Sequence, residues 1–334
     1  MAAVDIIVGV PGGPGWYPVY EMAQLLGCYT GQAPIYADPS ASLKPLPKIL
    51  GRLPRIHGGN RIAIVIASDP GQLYAIAQLP YALKRYKAIY GWVIDSFWDD
   101  RIPAIALNNT YTTIYVADKD DVPDWQARGV KNLGVLPWGT DAWSSYSESL
   151  DISKPVDIVR VGRQPEVYDN DQTNAELAAE RHLSFAGRPP FGESDEQSAQ
   201  NLSQAYSNAK YLLAFSTKVS PQKYTHPTKE YITGRWTDAL AHGIIVAGQV
   251  PATTTSRELL WEGATIEIDP FDAANGMDTL AEHVKQWSEE KALYNMRMAL
   301  VKLDWRHRFK VLLDDAGISS ESLEKDLREM AQHS

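Results

Sequence analysis

The chain has one cysteine among 334 residues, which excludes an intramolecular disulfide and any cysteine-based zinc site. That residue, Cys28, ends the apolar segment "EMAQLLGCYT" and reads as a buried packing residue rather than a nucleophile. Positive charge is not in surplus: Lys and Arg number 32 against 41 Asp and Glu, a formal net charge of −9. A general nucleic-acid binder, which must neutralise phosphates, is therefore not expected. The longest apolar runs, such as "IAIVIA" (62–67), are strand-length and cannot cross a bilayer. The N-terminal "MAAVDIIVGV" has no basic segment followed by an apolar one, so no signal peptide is read and a cytoplasmic location is expected. None of the seven histidines has a partner at metal-ligand spacing, and no carboxylate cluster has it either. One stretch, "SLKPLPKILGRLPRIHGGNR" (42–61), carries Lys44, Lys48, Arg52, Arg55 and Arg61 without an acid. It reads as a solvated, Pro-broken loop and short helix, with contact to an anionic acceptor or a lipid surface as the alternative.

What is present is a repeated alternation. At 44% hydrophobic and 22% charged, the chain has enough apolar residues for real cores. Apolar strands are predicted at 5–10, 33–37, 62–67, 88–94, 113–117 and 132–136, with amphipathic helices between several of them. A second set follows at 156–162, 182–187, 211–216, 243–248 and 265–269. Continuous apolar strands alternating with helices predict parallel sheets covered on both faces, that is, two doubly wound α/β domains. The Ser-rich stretch 137–155, with Pro at each end, reads as the linker between them. In such folds ligands bind beyond the carboxyl ends of the strands, and two such domains predict a cleft between them.

The segment "EYITGRWTDALAHGIIVAG" (230–248) concentrates polar chemistry. A loop leads from the strand ending at Ser216 to a helix starting near Arg235. Free N–H groups and the positive dipole end of that helix suit a phosphate, and Arg235 adds a fork-shaped cation. Glu230 or Asp238 can accept sugar or ribose hydroxyls, and Gly243 stands where a helix end needs positive φ. The plainer reading is an i,i+3 surface pair of Arg235 with Asp238 and a solvated Glu230.

The same residues resemble the donor-site segment of GT-B glycosyltransferases. Glu230 matches the first acid of the E-x7-E pattern, with Asp238 at the second. Arg235, Asp238, Ala239, Ala241 and Gly243 are similar to the pattern of CgeB-like members. "VDIVRVGRQP" resembles the first donor-domain strand, "GVLPWGTDAW" the end of an acceptor domain with Asp141 at its border, and "DWRHRF" (304–309) the C-terminal "W-x-x-R" segment. The resemblance implies two Rossmann-like domains facing across a cleft. The acceptor domain would span 1–145 and the donor domain 156–304, with terminal helices at 305–334 crossing back to the first.

It further implies a UDP- or GDP-linked sugar as co-substrate, no cofactor and no metal, because helix dipole and cations would stabilise the leaving diphosphate. Arg163, Arg235, Lys218, Lys223 and His226 would contact the donor's phosphates, Glu230 and Asp238 its hydroxyls. On the acceptor side stands "PGGPGWYP" (11–18), where Gly12 and Gly13 let the backbone approach a ligand and Trp16 and Tyr17 can stack on a sugar. An inverting enzyme needs a base for the acceptor hydroxyl; Asp95 is the first choice, Asp99 or Asp100 the second. Asp69 is either another such acid or a helix cap. The acceptor would be a glycan, a lipid-linked, protein or small-molecule hydroxyl, with peripheral membrane contact as an option. The alternatives are a non-catalytic two-lobed sugar or nucleotide sensor and a nucleotide-sugar epimerase.

Overall fold

The computed structural model describes residues 3–37, 59–82, 86–103, 110–146, 152–222 and 225–333. Contacts divide the chain into two compact units, 1–137 with 306–327 and 138–305 with 328–334.

In the first unit, β1 (Val4–Gly9), β2 (Ile35–Tyr36), β3 (Arg61–Ala67), β4 (Tyr86–Val93), β5 (Thr113–Val116) and β6 (Leu133–Val135) form a sheet in the order β2-β1-β3-β4-β5-β6. All pairs are parallel. Every residue from Ile62 to Ala67 is buried, as a strand covered on both faces requires. Helices Tyr17–Thr30, Pro70–Ala82 and Val122–Ala127 follow β1, β3 and β5. The first buries Val19, Met22, Ala23 and Leu26. Cys28 lies two residues past Leu26, about 200° around the helix, on the same exposed side as Glu21 and Gln24. It is therefore exposed, not the packing residue expected.

The helices Trp305–Asp315 and Glu321–Met330 are tied to this sheet by polar contacts. Tyr90 and Tyr115 donate to the Asp315 carbonyl (2.8 Å) and carboxylate (2.6 Å). Arg306 Nε donates to Tyr29 Oη (2.6 Å), which donates in turn to Asp326.

The second unit holds β7 (Val156–Arg160), β8 (Ala209–Leu213), β9 (Ile245–Gly248) and β10 (Thr265–Glu267), parallel, in the order β10-β9-β8-β7. The strand expected at 182–187 is reduced to one parallel bridge between Phe185 and Ile158. Here His182, Ser184 and Ala186 face solvent, and Gly187 at φ 70° turns the chain away. The Asp157 carboxylate accepts from the Ser184 N–H (2.8 Å) and hydroxyl (3.0 Å), pinning the segment beside β7. With that bridge counted, both sheets reverse their strand order after the first strand. The crevices lie between β1 and β3 and between β7 and β8, the positions where doubly wound sheets bind ligands.

Helices of this unit run Asp171–Ala179, Asp195–Asn208, Gly234–Ala241, Thr254–Leu259, Ala273–Lys285 and Glu289–Lys302. Asn170, Ser194, Asp272 and Ser288 each cap one by accepting the N–H three residues on, the usual duty of such residues. Gly243 has φ 77°, and a Cβ there would stand 2.9 Å from the Ala292 carbonyl oxygen.

The stretch read as a linker is built into the second unit over 138–146. Thr140 bridges Asp304, its N–H reaching the Leu303 carbonyl and its carbonyl accepting from Trp305 N–H, both 2.9 Å. Buried Asp304 accepts the Trp143 N–H at 2.9 Å. Asp141 caps the turn Ala142–Ser145 through Ser144. Asp141 and Asp304 thus hold backbone N–H groups of this stretch. Residues 147–151, and Lys44, Lys48, Arg52 and Arg55, lie outside the described residues; Arg61 pairs with Asp5.

Candidate functional site

Past β7 the chain runs Val161-Gly162-Arg163-Gln164. Gly162 has φ 76°, and a Cβ on it would lie 2.6 Å from Nη1 of Arg235. Glycine is needed here twice, for its backbone conformation and for the guanidinium lying against it. Arg235 is the second residue of helix Gly234–Ala241. Its Nη1 donates to the Arg163 carbonyl (3.4 Å) and its Nη2 to the Phe215 carbonyl (2.8 Å). Its buried Nε has no partner among the described residues. From elsewhere in the unit, Arg188 Nη2 donates to the Gly162 carbonyl at 2.8 Å. Three arginines therefore meet around Gly162 where β7 and β8 end.

Among the described residues no carboxylate pairs with Arg235. Burial, and then the neighbouring Arg163 charge, push its pKa down to about 10. The pair with Asp238 that the spacing allowed is not formed; Arg235 donates to carbonyls instead. The Asp238 carboxylate lies near the Cβ position of Gly234. Together with burial, the larger cause, it raises the pKa of the Tyr206 hydroxyl. That hydroxyl is buried and without a hydrogen-bond partner among the described residues.

Glu230 is buried rather than solvated. Its two oxygens accept from the Ser216 hydroxyl and from the Ala252 N–H (3.0 Å), joining the loops after β8 and β9. Lys218 is exposed, its N–H bonded to Ser216 Oγ (3.1 Å). His226 Nδ1 accepts from the N–H groups of Thr228 (3.2 Å) and Lys229 (3.0 Å). Both contacts require an unprotonated Nδ1, so the ring proton is on Nε2. Lys223 lies outside the described residues.

Two residues of the site were not found from sequence. Arg188 stands in "AGRPP", which repeats the Gly-Arg step of "VGRQP" at the end of a strand; that echo is the signal that could have found it. It also lines a cavity of about 260 Å³ with Pro189, Pro190, Asn201, Gln204 and Asn208. Gln164 is buried at the strand ends, Nε2 donating to the Val161 and Leu213 carbonyls at 3.2 Å each. A lone Gln carries no such sequence signal.

In the first unit the expected residues gather at the carboxyl ends of β1, β3 and β4. A Cβ on Gly12 or Gly13 would meet nothing within 4 Å, and Gly13 has φ 111°. Trp16 and Tyr17 begin the helix that follows. Asp95 stands two residues past β4, its N–H on the Ser68 carbonyl (2.9 Å). Asp99 pairs with Arg128 at 3.3 Å, and Asp100 is exposed. Asp69 is a cap, accepting from the N–H groups of Gly71 (2.9 Å) and Gln72 (3.2 Å). Among the described residues no group of His, Cys, Asp and Glu could hold a metal ion, and no helix is long and apolar enough to cross a membrane.

No protein-family model matches the chain, and no curated protein does. Similar solved structures include TarM, at 12% identity and TM-score 0.49, covering 82% of this chain and 57% of that one. AviGT4, a glycosyltransferase involved in avilamycin A biosynthesis, is similar at 13% identity and TM-score 0.47, covering 93% and 98%. The pneumococcal O-GlcNAc transferase GtfA is similar at 14% identity and TM-score 0.46, covering 79% and 57%. The chain thus spans little more than half the length of TarM and GtfA, and all three similarities fall below a TM-score of 0.5.

Proposed function

We propose that the chain is a GT-B glycosyltransferase of the CgeB-like kind, acting in the cytoplasm on a UDP- or GDP-linked sugar without a metal. One observation carries the reading: Arg163, Arg188 and Arg235 converge on Gly162 at the crevice between β7 and β8, and among the described residues no carboxylate neutralises Arg235. An uncompensated, desolvated guanidinium is expensive to hold and becomes favourable when an anion arrives. A leaving diphosphate gains charge as the glycosyl bond breaks, and fixed cations stabilise it without reorganising. His226 Nε2–H and Lys218 add donors from the adjacent loop, with Lys223 in the same segment. The lone pairs of Glu230 left over from Ser216 and Ala252 accept donor hydroxyls, and Asp238 takes the same part on the helix.

The acceptor, a hydroxyl on a glycan, lipid-linked, protein or small-molecule compound, binds at the first unit. Gly12, Gly13, Trp16 and Tyr17 contact it there, and Asp95 takes its proton. Asp99, engaged by Arg128, is the second candidate for that role.

Thermal shift against UDP-, GDP-, dTDP-, ADP- and CMP-linked sugars, with magnesium or with chelator, tests the reading. A ligand at about 100 times its Kd adds roughly 2.7 kcal/mol to stability. The expected result is a clear shift with one nucleotide class, unchanged by chelator and lost in Arg235→Ala. A folded protein that shifts with none of them would end the proposal.

A further inference from the structure

The cavity beside Arg188 is lined by apolar Val159, Pro189 and Pro190 and by Asn201, Gln204 and Asn208. The last three fall at i, i+3 and i+7 of helix Asp195–Asn208 and so share one helix face. Arg188, Gln204 and Asn208 are exposed, so a ligand in solution reaches this wall. At about 260 Å³ the cavity lies just below the roughly 300–1,000 Å³ of sites for drug-sized ligands, the size for one small ring system. Arg188, which lines it, also donates to the Gly162 carbonyl at 2.8 Å, so the cavity adjoins the three arginines.

The polar part of the wall is made of carboxamides. Asn201 Nδ2 donates to the Pro190 carbonyl at 3.1 Å, which leaves its Oδ1 to accept. Among the described residues that line the cavity, none is Asp or Glu. Asp171, whose carboxylate lies beside Gly187, is already held by Arg160 and by the Arg188 N–H (3.2 Å). This composition sorts the bases. A carboxamide offers one donor and one acceptor side by side, the complement of uracil N3–H and its neighbouring carbonyl oxygen. Guanine presents two adjacent donors, N1–H and the N2 amino group, and their complement is a carboxylate, which only accepts.

We propose that this cavity takes uracil, with Gln204, the middle carboxamide of the three, pairing with N3–H and a carbonyl oxygen of the base. The inference rests on the glycosyltransferase reading above and decides for UDP where that reading leaves UDP or GDP. The diphosphate lies on the arginines around Gly162, and Pro189 and Pro190 give the ring its apolar contacts. UDP and GDP carry the same diphosphate, so the arginines serve both alike and the difference between the two belongs to the base.

The test is calorimetry of wild type, Gln204→Glu and Gln204→Ala with UDP, GDP and pyrophosphate. A two-point pairing with a base edge discriminates against the wrong base by a factor of about 5 to 150. Wild type is expected to bind UDP more tightly than GDP by such a factor. Gln204→Glu replaces the amide donor with an acceptor and should lower that ratio about fivefold or more. Gln204→Ala, which removes both groups, should lower it too, and carries the test if the Glu variant does not fold. Wild type with equal or tighter affinity for GDP overturns the proposal. An unchanged ratio in a folded variant also overturns it, because the base would then lie elsewhere. Wild type that binds pyrophosphate but gains nothing from either base overturns this inference alone, whereas wild type that binds none of the three probes removes the parent reading with it.

Discussion

The guanidinium of Arg235 lies against the backbone of Gly162, where a single added carbon would stand 2.6 Å from its Nη1. Gly162→Ala is expected to fail on two counts. Left-handed backbone costs a non-glycine residue roughly 1–2 kcal/mol, and the methyl group displaces Arg235. Urea unfolding should show a stability loss of at least that size, and the nucleotide-induced thermal shift should vanish. A variant with unchanged binding would mean that Arg235 can serve from another position.

Arg235 itself should show the opposite balance. A group whose pKa is pushed below its ordinary value, here to about 10, holds back stability at every pH below that value. Arg235→Met is therefore expected to leave the ligand-free melting temperature unchanged or higher, while abolishing the response to nucleotide. A melting temperature several degrees lower would show that the two carbonyl contacts outweigh the desolvation.

Lys154 gives a pH signature. It is buried, its Nζ donating to the Tyr206 and Ser207 carbonyls at the end of helix Asp195–Asn208, and burial lowers its pKa to about 8. With a folded pKa below the unfolded 10.5, its contribution is full above 10.5 and is lost as pH falls towards 8. Stability should thus rise with pH in that window, by at most about 1.4 kcal/mol per pH unit. The wild-type minus Lys154→Met difference in urea midpoint between pH 7.5 and 9.5 isolates it. A flat difference would contradict the assignment. His242, lowered by burial first, acts in the same sense at lower pH, its contribution being lost as pH falls below about 6.5.

The segment 138–146 should behave as packed structure. Its backbone is held through Thr140, Asp304 and Trp143, so brief chymotrypsin treatment of the native protein should spare Trp138 and Trp143. Asp304→Ala leaves the Trp143 N–H without its acceptor, which costs roughly 1–3 kcal/mol, and should open both sites to cleavage. Rapid cutting there in the wild-type protein would restore the linker reading.

The sequence by itself determined both sheets, because the period and length of apolar runs report burial on both faces. "IAIVIA" becomes β3 and "GIIVAG" contains β9 for that reason, and Gly243 marks a helix end through a conformation only glycine adopts cheaply. Arg163 and Arg235 could be nominated from their places after a strand and at a helix start. Tertiary structure decided the rest. Cys28 is exposed because the buried stripe passes two residues before it, and 182–187 is a bridge because its alternate residues face solvent and Gly187 turns the chain away from β7. Residues 138–146 pack because Asp304 was waiting for them 161 residues away. Arg188 and Arg235 reach Gly162 and Arg163 across separations of 26 and 72 residues, which no local period encodes. Whether a polar atom such as Gln164 Oε1 has a partner depends on what the fold brings beside it, so only the folded chain shows it.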